Sequence, residues 1–212
     1  MKKLLLGIAA VCLAGFTFAQ DAPLWMRHSV ISPDGTTIAF TYKGDIYTVP
    51  VAGGRAMQIT TNPAYDTAPV WSPDSKRIAF ASDRMGSLDV YIVAKDGGEP
   101  RRLTTHSGSE TPLAFTDAGH VLFSAGIMPS AEAVVFPSNG QFNQVYRVSV
   151  EGGRPTMISS MPMECISINK EGAMLYQDKK GYEDYWRKHH VSPIARDIWM
   201  YTPGKEPQYR QL

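Results

Sequence analysis

This sequence of 212 residues has few cysteines and no excess of charge of either sign. Of its two cysteines, Cys12 lies in the hydrophobic N-terminal run, so Cys165 has no partner for an intrachain disulfide in the mature chain. Lys and Arg number 21 against 20 Asp and Glu, which leaves a net charge of +1. Proteins that bind nucleic acids concentrate basic residues on one surface, and this sequence contains no basic stripe of that kind. We therefore expect no nucleic-acid partner.

Helix patterns and catalytic motifs are also absent from the sequence. Between Asp21 and Leu212 no long segment repeats apolar residues at the 3.6-residue period of a helix, which favours an all-β fold. There is no GxSxG, no HExxH, no phosphate-binding glycine loop and no paired set of cysteine ligands. We therefore assign no catalytic residue, no metal and no cofactor to this chain.

The N-terminal residues predict a secretory signal peptide over residues 1–19. Lys2 and Lys3 precede an apolar run from Leu4 to Phe18, and Thr17-Phe18-Ala19 resembles a cleavage site. A membrane anchor is the weaker alternative, because the run is shorter than the roughly 20 residues that a spanning helix needs. We expect export to the periplasm or the extracellular space, with no membrane span after cleavage.

A unit of four short strands is complete between Thr67 and Thr105. Its strands are rich in β-branched and aromatic residues, and the segments between them hold the Pro, Asp and Gly residues that turns prefer. The predicted elements are strand Thr67–Trp71, turn Ser72–Ser75, strand Arg77–Ser82, strand Asp89–Ala94, hairpin Asp96–Gly98 and strand Pro100–Thr104. The unit reads as an antiparallel meander.

The same unit recurs four times, over about 24–61, 62–105, 106–160 and 161–212. A period of about 40 to 45 residues that holds four strands is typical of a β-propeller blade. Middle strands such as Ile78-Ala79-Phe80 are apolar on both faces, as a sheet between two neighbouring blades requires. Because Glu206 to Leu212 corresponds to Glu99 to Leu103, we expect these blades to be the front of a longer protein and part of a six- or seven-bladed ring.

Acidic residues recur in three places of the repeat. Asp34 and Asp74 lie in the Ser-Pro-Asp turns, where we expect them to cap the backbone, and Asp45 and Asp89 open the third strands in the same repeated way. A third set precedes the first strands: Asp66 and Glu110, with Glu164 close to the corresponding place. These could attract cations or peptide N-termini at the channel mouth, or could bond the backbone of the adjacent blade.

Two insertions interrupt the repeat between its second and third strands, and inserted loops on a rigid scaffold often bind ligands. Gly126–Phe142 is nearly uncharged, with Glu132 as its one charged residue, and is rich in apolar residues, whereas Asp178–Asp197 mixes basic and aromatic side chains. Its Arg187, Lys188 and Arg196 suit a carboxylate-bearing ligand or an acidic partner, although a solvated loop explains them as well. Its adjacent His189 and His190 point in opposite directions on an extended chain and make a poor metal pair.

These repeats resemble a known family of propellers. SPDG turns, IAF and DIY strands and the following GG hairpins are similar to the blades of TolB-like proteins and tricorn-type proteases. The leader followed directly by a blade, the QVYRV strand after the first insertion, and DYWRKHH and ARDIWMY between Asp184 and Tyr201 resemble the N-terminal propeller of bacterial tricorn-like serine peptidases. The resemblance covers residues 20–212.

The resemblance implies a non-catalytic propeller of an exported peptidase, in which it serves as a scaffold and guides peptides. Its partners would be a peptide or protein substrate and the downstream domains of the same polypeptide, which would carry the catalytic residues. We predict substrate binding by Asp66, Glu110, Arg187, Lys188 and Arg196. Two alternatives stay open: a TolB-like module that binds proteins, and the propeller of a prolyl-oligopeptidase-type peptidase.

Overall fold

The computed structural model describes residues 25–126, 143–161, 163–169, 171–178 and 197–212. These residues form sixteen β-strands in four antiparallel sheets of four strands each, which confirms the predicted all-β propeller fold. They include no helix long and apolar enough to cross a membrane. The predicted signal peptide lies outside the described residues, and so do both insertions apart from Gly126, Asp178 and Asp197.

Each blade is a meander whose strands pair in sequence order. The first blade consists of β1 (Arg27–Ile31), β2 (Thr37–Tyr42), β3 (Asp45–Pro50) and β4 (Met57–Gln58). The second consists of β5 (Asp66–Trp71), β6 (Arg77–Ser82), β7 (Asp89–Ala94) and β8 (Arg101–Arg102). The third consists of β9 (Glu110–Asp117), β10 (His120–Ala125), β11 (Gln144–Ser149) and β12 (Thr156–Ser159), and the fourth of β13 (Met163–Ile168), β14 (Met174–Asp178), β15 (Ile198–Thr202) and β16 (Gln208–Gln211).

Aromatic pairs join the second and third strands at equivalent places in the first three blades. Phe80 lies opposite Tyr91 in the register of the second blade, and their ring centroids are 5.9 Å apart. The matching pairs are Phe40 with Tyr47 at 5.9 Å and Phe123 with Tyr146 at 5.7 Å. Directly opposed aromatic side chains stabilise a strand pair beyond the area that they bury, so these pairs hold the register of each blade.

The hydrophobic core lies between the blades. Ile46 and Ile59 of the first blade pack with Phe80 and Tyr91 of the second. The same arrangement joins the second blade to the third and the third to the fourth. A blade therefore buries its two apolar faces only against its neighbours, as the apolar middle strands of the sequence predict.

The face of the fourth blade that would meet a further blade is uncovered among the described residues. The backbone N–H of Leu212 donates to Ile198 O at 2.9 Å, as that of Leu103 donates to Val90 O at 2.7 Å. Ile198 and Leu212 thus occupy the places of Val90 and Leu103, which are buried against the third blade. Ile198 is nevertheless 57% exposed and Leu212 60%. The four blades form an open arc of a propeller, not a closed ring.

The first strands carry a β-bulge that bends them. His28, Ala68 and Cys165 adopt positive φ angles of 50°, 52° and 52° at equivalent positions, where the pairing with the second strand shifts register. Pro112 holds this position in the third blade, and the proline ring excludes positive φ. There the register shift falls at Leu113 instead. The bend is therefore kept in all four blades, although its local backbone geometry differs.

The Ser-Pro-Asp turns have the structure that the sequence predicts. Ser72 Oγ donates to Asp74 Oδ1 at 2.5 Å, and Asp74 Oδ1 also accepts from the Lys76 backbone N–H at 3.2 Å. Asp34 makes the equivalent bonds in the first blade. These hydrogen bonds lower the pKa of Asp34 to about 2, and the bond from the Ser32 side chain has the largest effect. The turn aspartates cap the backbone, as expected.

The exposed face of the fourth blade yields a test of this architecture. Ile198→Lys should leave the melting temperature nearly unchanged and lower the binding of a hydrophobic dye, because the side chain already faces solvent. Val90→Lys, at the equivalent buried position, should prevent cooperative folding because it buries an unpaired charge. Circular dichroism melts and dye fluorescence measure both variants. Equal loss of stability in the two would mean that Ile198 is covered.

Candidate functional site

The meander topology brings charged residues of successive blades to one end of the sheets. The first and third strands begin at this end, and the connections from one blade to the next cross it. We call it the crossover face; the opposite end, which holds the Ser-Pro-Asp turns, is the turn face. At the crossover face the Asp66 N–H donates to Gly44 O, and the Glu110 N–H donates to Leu88 O, each at 2.7 Å. Backbone bonds therefore tie the first strands of the second and third blades to the preceding blade.

The junction between the first and second blades contains two carboxylates and one arginine. Asp66 is fully buried, and its Oδ2 lies 2.7 Å from Nη2 of Arg84. Asp45 accepts a hydrogen bond from the Thr60 hydroxyl at 3.4 Å. Burial raises the pKa of Asp45, and the negative charge of Asp66 raises it further. The Arg84 guanidinium thus forms an ion pair with Asp66, and its charge partly opposes the rise in the pKa of Asp45.

The junction between the second and third blades repeats this arrangement with a larger acid. Asp89 and Glu110 are both fully buried. Arg102 Nη2 lies 2.8 Å from Asp89 Oδ2, but its direction leaves both Asp89 oxygens without an aligned hydrogen bond. The two Glu110 oxygens also lack an aligned donor. A proton on Glu110 would supply the donor that this pair of carboxyl groups needs.

The pKa of Glu110 is raised from 4.5 to about 7, principally by burial. The nearby Asp89 carboxylate raises this pKa further, whereas the Thr104 hydroxyl and the Arg102 guanidinium oppose the shift. Near neutral pH the protonated and ionised forms of Glu110 therefore have similar free energies, and no solvent reaches the side chain. Like charges at close range favour one shared proton over two ionised groups.

The third junction departs from the pattern. Met163 pairs with Asp178 as Asp66 pairs with Ser82, so a buried methionine occupies the acidic position. Glu164 comes one residue later and faces the other side of the strand. Glu164 is therefore next to the position that corresponds to Asp66 and Glu110, as expected, but its side chain lies on the opposite side of the strand from theirs.

A cavity of about 680 Å³ lies where the first strands of all four blades converge. We call it the channel cavity. Its lining takes equivalent pairs of residues from successive blades: Val30-Ile31, Val70-Trp71, Ala114-Phe115 and Ser167-Ile168. Most of these side chains are apolar, and the cavity also contacts Pro33 and Pro73 of the turns. The channel cavity therefore opens near the turn face, away from the buried carboxylates.

The structure places the sequence-derived site residues as follows. Asp66 and Glu110 lie at successive junctions of the crossover face, and both are closed to solvent. Arg187, Lys188 and Arg196 lie outside the described residues, as do His189 and His190. Within the described ranges no three His, Cys, Asp or Glu side chains form a group suited to a metal ion.

Sequence reasoning missed the arginines that neutralise the buried acids. Arg84 lies in the loop that lengthens the repeat offset from 40 to 44 residues, and Arg102 lies in the outer strand β8. The change of offset from 40 to 44 residues is the signal in the sequence that could have revealed Arg84, because it marks an inserted loop. That loop carries a cation and lies beside the buried Asp66. The sequence also did not reveal the ion pair of Asp89 with Arg102, since the recurrence of an Asp at the start of the third strand does not show that it is buried.

A family model now adds to this geometry. Residues 23–212 match the model of the tricorn protease N-terminal β-propeller domain. The chain belongs to this family. A tricorn propeller accounts for the repeats, the four sheets and the shared cavity.

Two curated relatives are peptidases by name, and each is much longer than this chain. Tricorn protease homolog 1 of Streptomyces coelicolor is 25% identical over 180 residues, which are 84% of this chain and 16% of the relative. The uncharacterized peptidase YuxL of Bacillus subtilis is 30% identical over 129 residues, which are 60% of this chain and 20% of the relative. The chain thus spans a fifth or less of either relative.

Solved structures show the same fold. The putative TolB of Agrobacterium tumefaciens superposes with a TM-score of 0.66 at 16% identity, covering 88% of this chain and 62% of that chain. The tricorn protease superposes with a TM-score of 0.63 at 13% identity, covering 88% of this chain and 22% of that chain. At such identities the similarity concerns the fold alone.

The ion pair of the first junction predicts a large stability effect. Arg84→Met should destabilise the protein by about 3 to 5 kcal/mol, because it leaves the buried Asp66 carboxylate without a cation. The double variant Arg84→Met/Asp66→Asn should recover much of this loss. Glu151→Gln, which removes an exposed partner of Arg101, should cost about 1 kcal/mol or less. Urea unfolding measures all three, and equal costs for Arg84→Met and Glu151→Gln would refute the argument.

The raised pKa of Glu110 predicts a dependence of stability on pH. Between pH 4.5 and about 7 the folded state keeps a proton on Glu110 that the unfolded chain releases. The free energy of unfolding should therefore fall as pH rises through this window, by at most about 1.4 kcal/mol per pH unit. Glu110→Gln should remove this contribution, and the exposed Glu151→Gln should keep it. Urea titrations from pH 5 to 8 decide, and parallel curves for wild type and Glu110→Gln would contradict the prediction.

Proposed function

We propose that this chain is the non-catalytic propeller of an exported tricorn-like serine peptidase, where it acts as a scaffold and as an access route for peptides. The observation that carries the proposal is the channel cavity, together with the family match over residues 23–212. Each blade contributes its first strand to the cavity wall, so the cavity follows from the repeat and not from one loop.

The chemistry of the channel cavity suits an extended peptide. Its walls are formed largely by Val, Ile, Trp, Phe and Pro side chains, which accept apolar groups without a strict shape requirement. The first strand is the edge strand of each sheet on the side of the channel cavity. Its backbone groups that face the cavity can form hydrogen bonds with the main chain of a bound peptide. Such a surface would admit many peptide sequences, and a folded protein would not enter a cavity of about 680 Å³.

The proposal places the chemistry in other domains of the same polypeptide. The chain covers 16% of the Streptomyces tricorn homolog, so a protein of that length has room for further domains. Those domains would supply the catalytic serine and histidine. Export is part of the proposal because of the leader sequence of residues 1–19.

The role of the five sequence-derived residues in substrate binding remains a prediction. Arg187, Lys188 and Arg196 would act from the second insertion. Asp66 and Glu110 are closed to solvent, so a direct contact with substrate would require the crossover face to open. In the closed state they would hold the blade junctions that shape the channel.

A cavity-filling variant of the full-length gene product tests the proposal. Ser167→Trp should narrow the channel cavity and lower kcat/KM several-fold for a long unstructured peptide. Hydrolysis of a dipeptide anilide, which diffuses through narrow openings, should change little. Ser107→Trp is the matched control, because Ser107 is exposed on the crossover side and does not line the cavity.

Equal effects of Ser167→Trp on the long and the short substrate would refute the access role. A full-length product without any peptidase activity would refute the peptidase assignment and favour the TolB-like binding module. A second candidate is the propeller of a prolyl-oligopeptidase-type peptidase, and the similarity to YuxL, which is also a peptidase by name, is compatible with either class. A GxSxG motif downstream of Leu212 would identify that candidate.

A further inference from the structure

A second cavity, of about 300 Å³, opens on the crossover face of the first blade. Its lining consists of Trp25, Arg27, Thr41, Lys43, Gly44 and Tyr65, and we call it the basic aromatic pocket. Trp25 precedes β1, Arg27 is its first residue, Thr41 lies on β2, and Tyr65 directly precedes β5 of the second blade. The pocket is separate from the channel cavity, with which it shares no lining residue.

The pocket carries two cations without acidic partners. The Arg27 guanidinium lies 5.4 Å from the centre of the Trp25 ring, and the Lys43 ammonium lies 5.3 Å from that of Tyr42. Within the part of the chain that the structure describes, neither cation forms an ion pair with a carboxylate. Cation–π contacts leave the hydrogen-bond donors of both groups available to a ligand.

The nearest acids do not cancel this positive charge. Asp66 follows Tyr65 in the chain, but its carboxylate is buried against Arg84. Asp45 follows Gly44 and accepts hydrogen bonds from Thr60 and Gln58. Asp66 is thus paired with Arg84 through Oδ2, although its buried Oδ1 has no partner among the described residues, and Asp45 is hydrogen-bonded to two neutral side chains. Within the described ranges Arg27 and Lys43 form no ion pair with either acid.

A buried hydroxyl in the wall of the pocket points to a ligand independently. Thr41 is 3% exposed, and among the residues that the structure describes its Oγ1 has no hydrogen-bonding partner. Thr41 lies directly opposite Arg27 in the pairing of β1 with β2. A buried hydroxyl without a partner destabilises the folded state, and an acceptor atom of a ligand beside Arg27 would relieve that cost.

The aromatic residues of the pocket indicate that a ligand would carry an apolar or aromatic group beside the anionic group that Arg27 and Lys43 attract. Trp25 is 74% exposed and Tyr65 41% exposed, so both present large apolar surfaces at the mouth of the pocket. Gly44 also lines the pocket, and a Cβ there would lie in van der Waals contact with Tyr65, 3.6 Å from its Cδ2. A volume of about 300 Å³ is at the lower end of the range for ligand pockets and fits one amino-acid residue.

We propose that the basic aromatic pocket binds a carboxylate group of a peptide together with one apolar or aromatic side chain. Arg27 and Lys43 hold the carboxylate, the Thr41 hydroxyl donates to one of its oxygens, and the side chain stacks on Trp25 or Tyr65. The inference rests on the proposed function only in taking the ligand to be a peptide. The carboxylate is either the peptide C-terminus or an internal Asp or Glu, and the two sources are separated by experiment.

The test measures binding of fluorescent peptides to the full-length protein by anisotropy. One peptide ends in Phe with a free carboxylate, a second is its C-terminal amide, and a third is amidated with an internal Glu next to Phe. Arg27→Met should weaken binding of the carboxylate peptides about tenfold or more, since charge-assisted hydrogen bonds are the strong ones. Thr41→Val, which keeps the shape of the side chain, should weaken binding several-fold. Rising salt should weaken wild-type binding and have little effect on Arg27→Met.

Arg55→Met provides the matched control, because Arg55 is exposed on the same blade and does not line this pocket. Equal affinities of Arg27→Met and Arg55→Met would overturn the proposal, and so would equal binding of all three peptides to wild type. Tighter binding of the free C-terminus assigns the pocket to chain ends, and tighter binding of the third peptide assigns it to internal acids. Loss of this binding leaves the substrate-length effect of Ser167→Trp untouched, so the two proposals fail separately.

Discussion

Burial of apolar faces between neighbouring blades is the constraint on which the rest of this structure depends. A four-stranded meander that is apolar on both sides cannot cover itself, so each blade is stable only against the next. Phe80 and Tyr91 on one face of the second blade, and Val90 and Leu103 on the other, meet different neighbours. The path of the chain follows from this requirement, and so does the uncovered apolar face of the fourth blade.

Packing blades face to face also buries the polar ends of their strands. At the crossover face this burial brings Asp66 and Glu110 against Asp45 and Asp89 of the preceding blades, and desolvation raises the pKa of Asp45 and of Glu110. The two junctions respond differently: Arg84 makes an aligned bond to Asp66, whereas the Arg102 contact leaves Asp89 without one. The same repeat thus produces one junction dominated by an ion pair and one that favours a shared proton.

The two ends of the sheets offer different surfaces to a ligand. Near the turn face the first strands converge on an apolar cavity, and at the crossover face the first blade presents unpaired cations beside exposed aromatic rings. A peptide has an apolar or mixed body and a carboxylate at one end. A molecule that contacts both ends would therefore find separate sites for its two kinds of group, which suits a propeller that guides peptides.

The fold class, the four repeats, the capped Ser-Pro-Asp turns and the family resemblance were predictable from the sequence, because they depend on local turn chemistry and on a short period of apolar residues. Asp66 and Glu110 could also be recognised as unusual, since their recurrence needs only alignment of the copies. The pairing of Arg84 and Arg102 with buried acids, the replacement of the acid by Met163 at the third junction, and the pocket shared by Arg27, Thr41 and Tyr65 became visible only in the folded chain. These contacts join residues 13 or more positions apart and depend on the blade-to-blade register and on which side of a strand each side chain faces. A shift of one residue reverses that side, and the sequence period does not resolve such a shift.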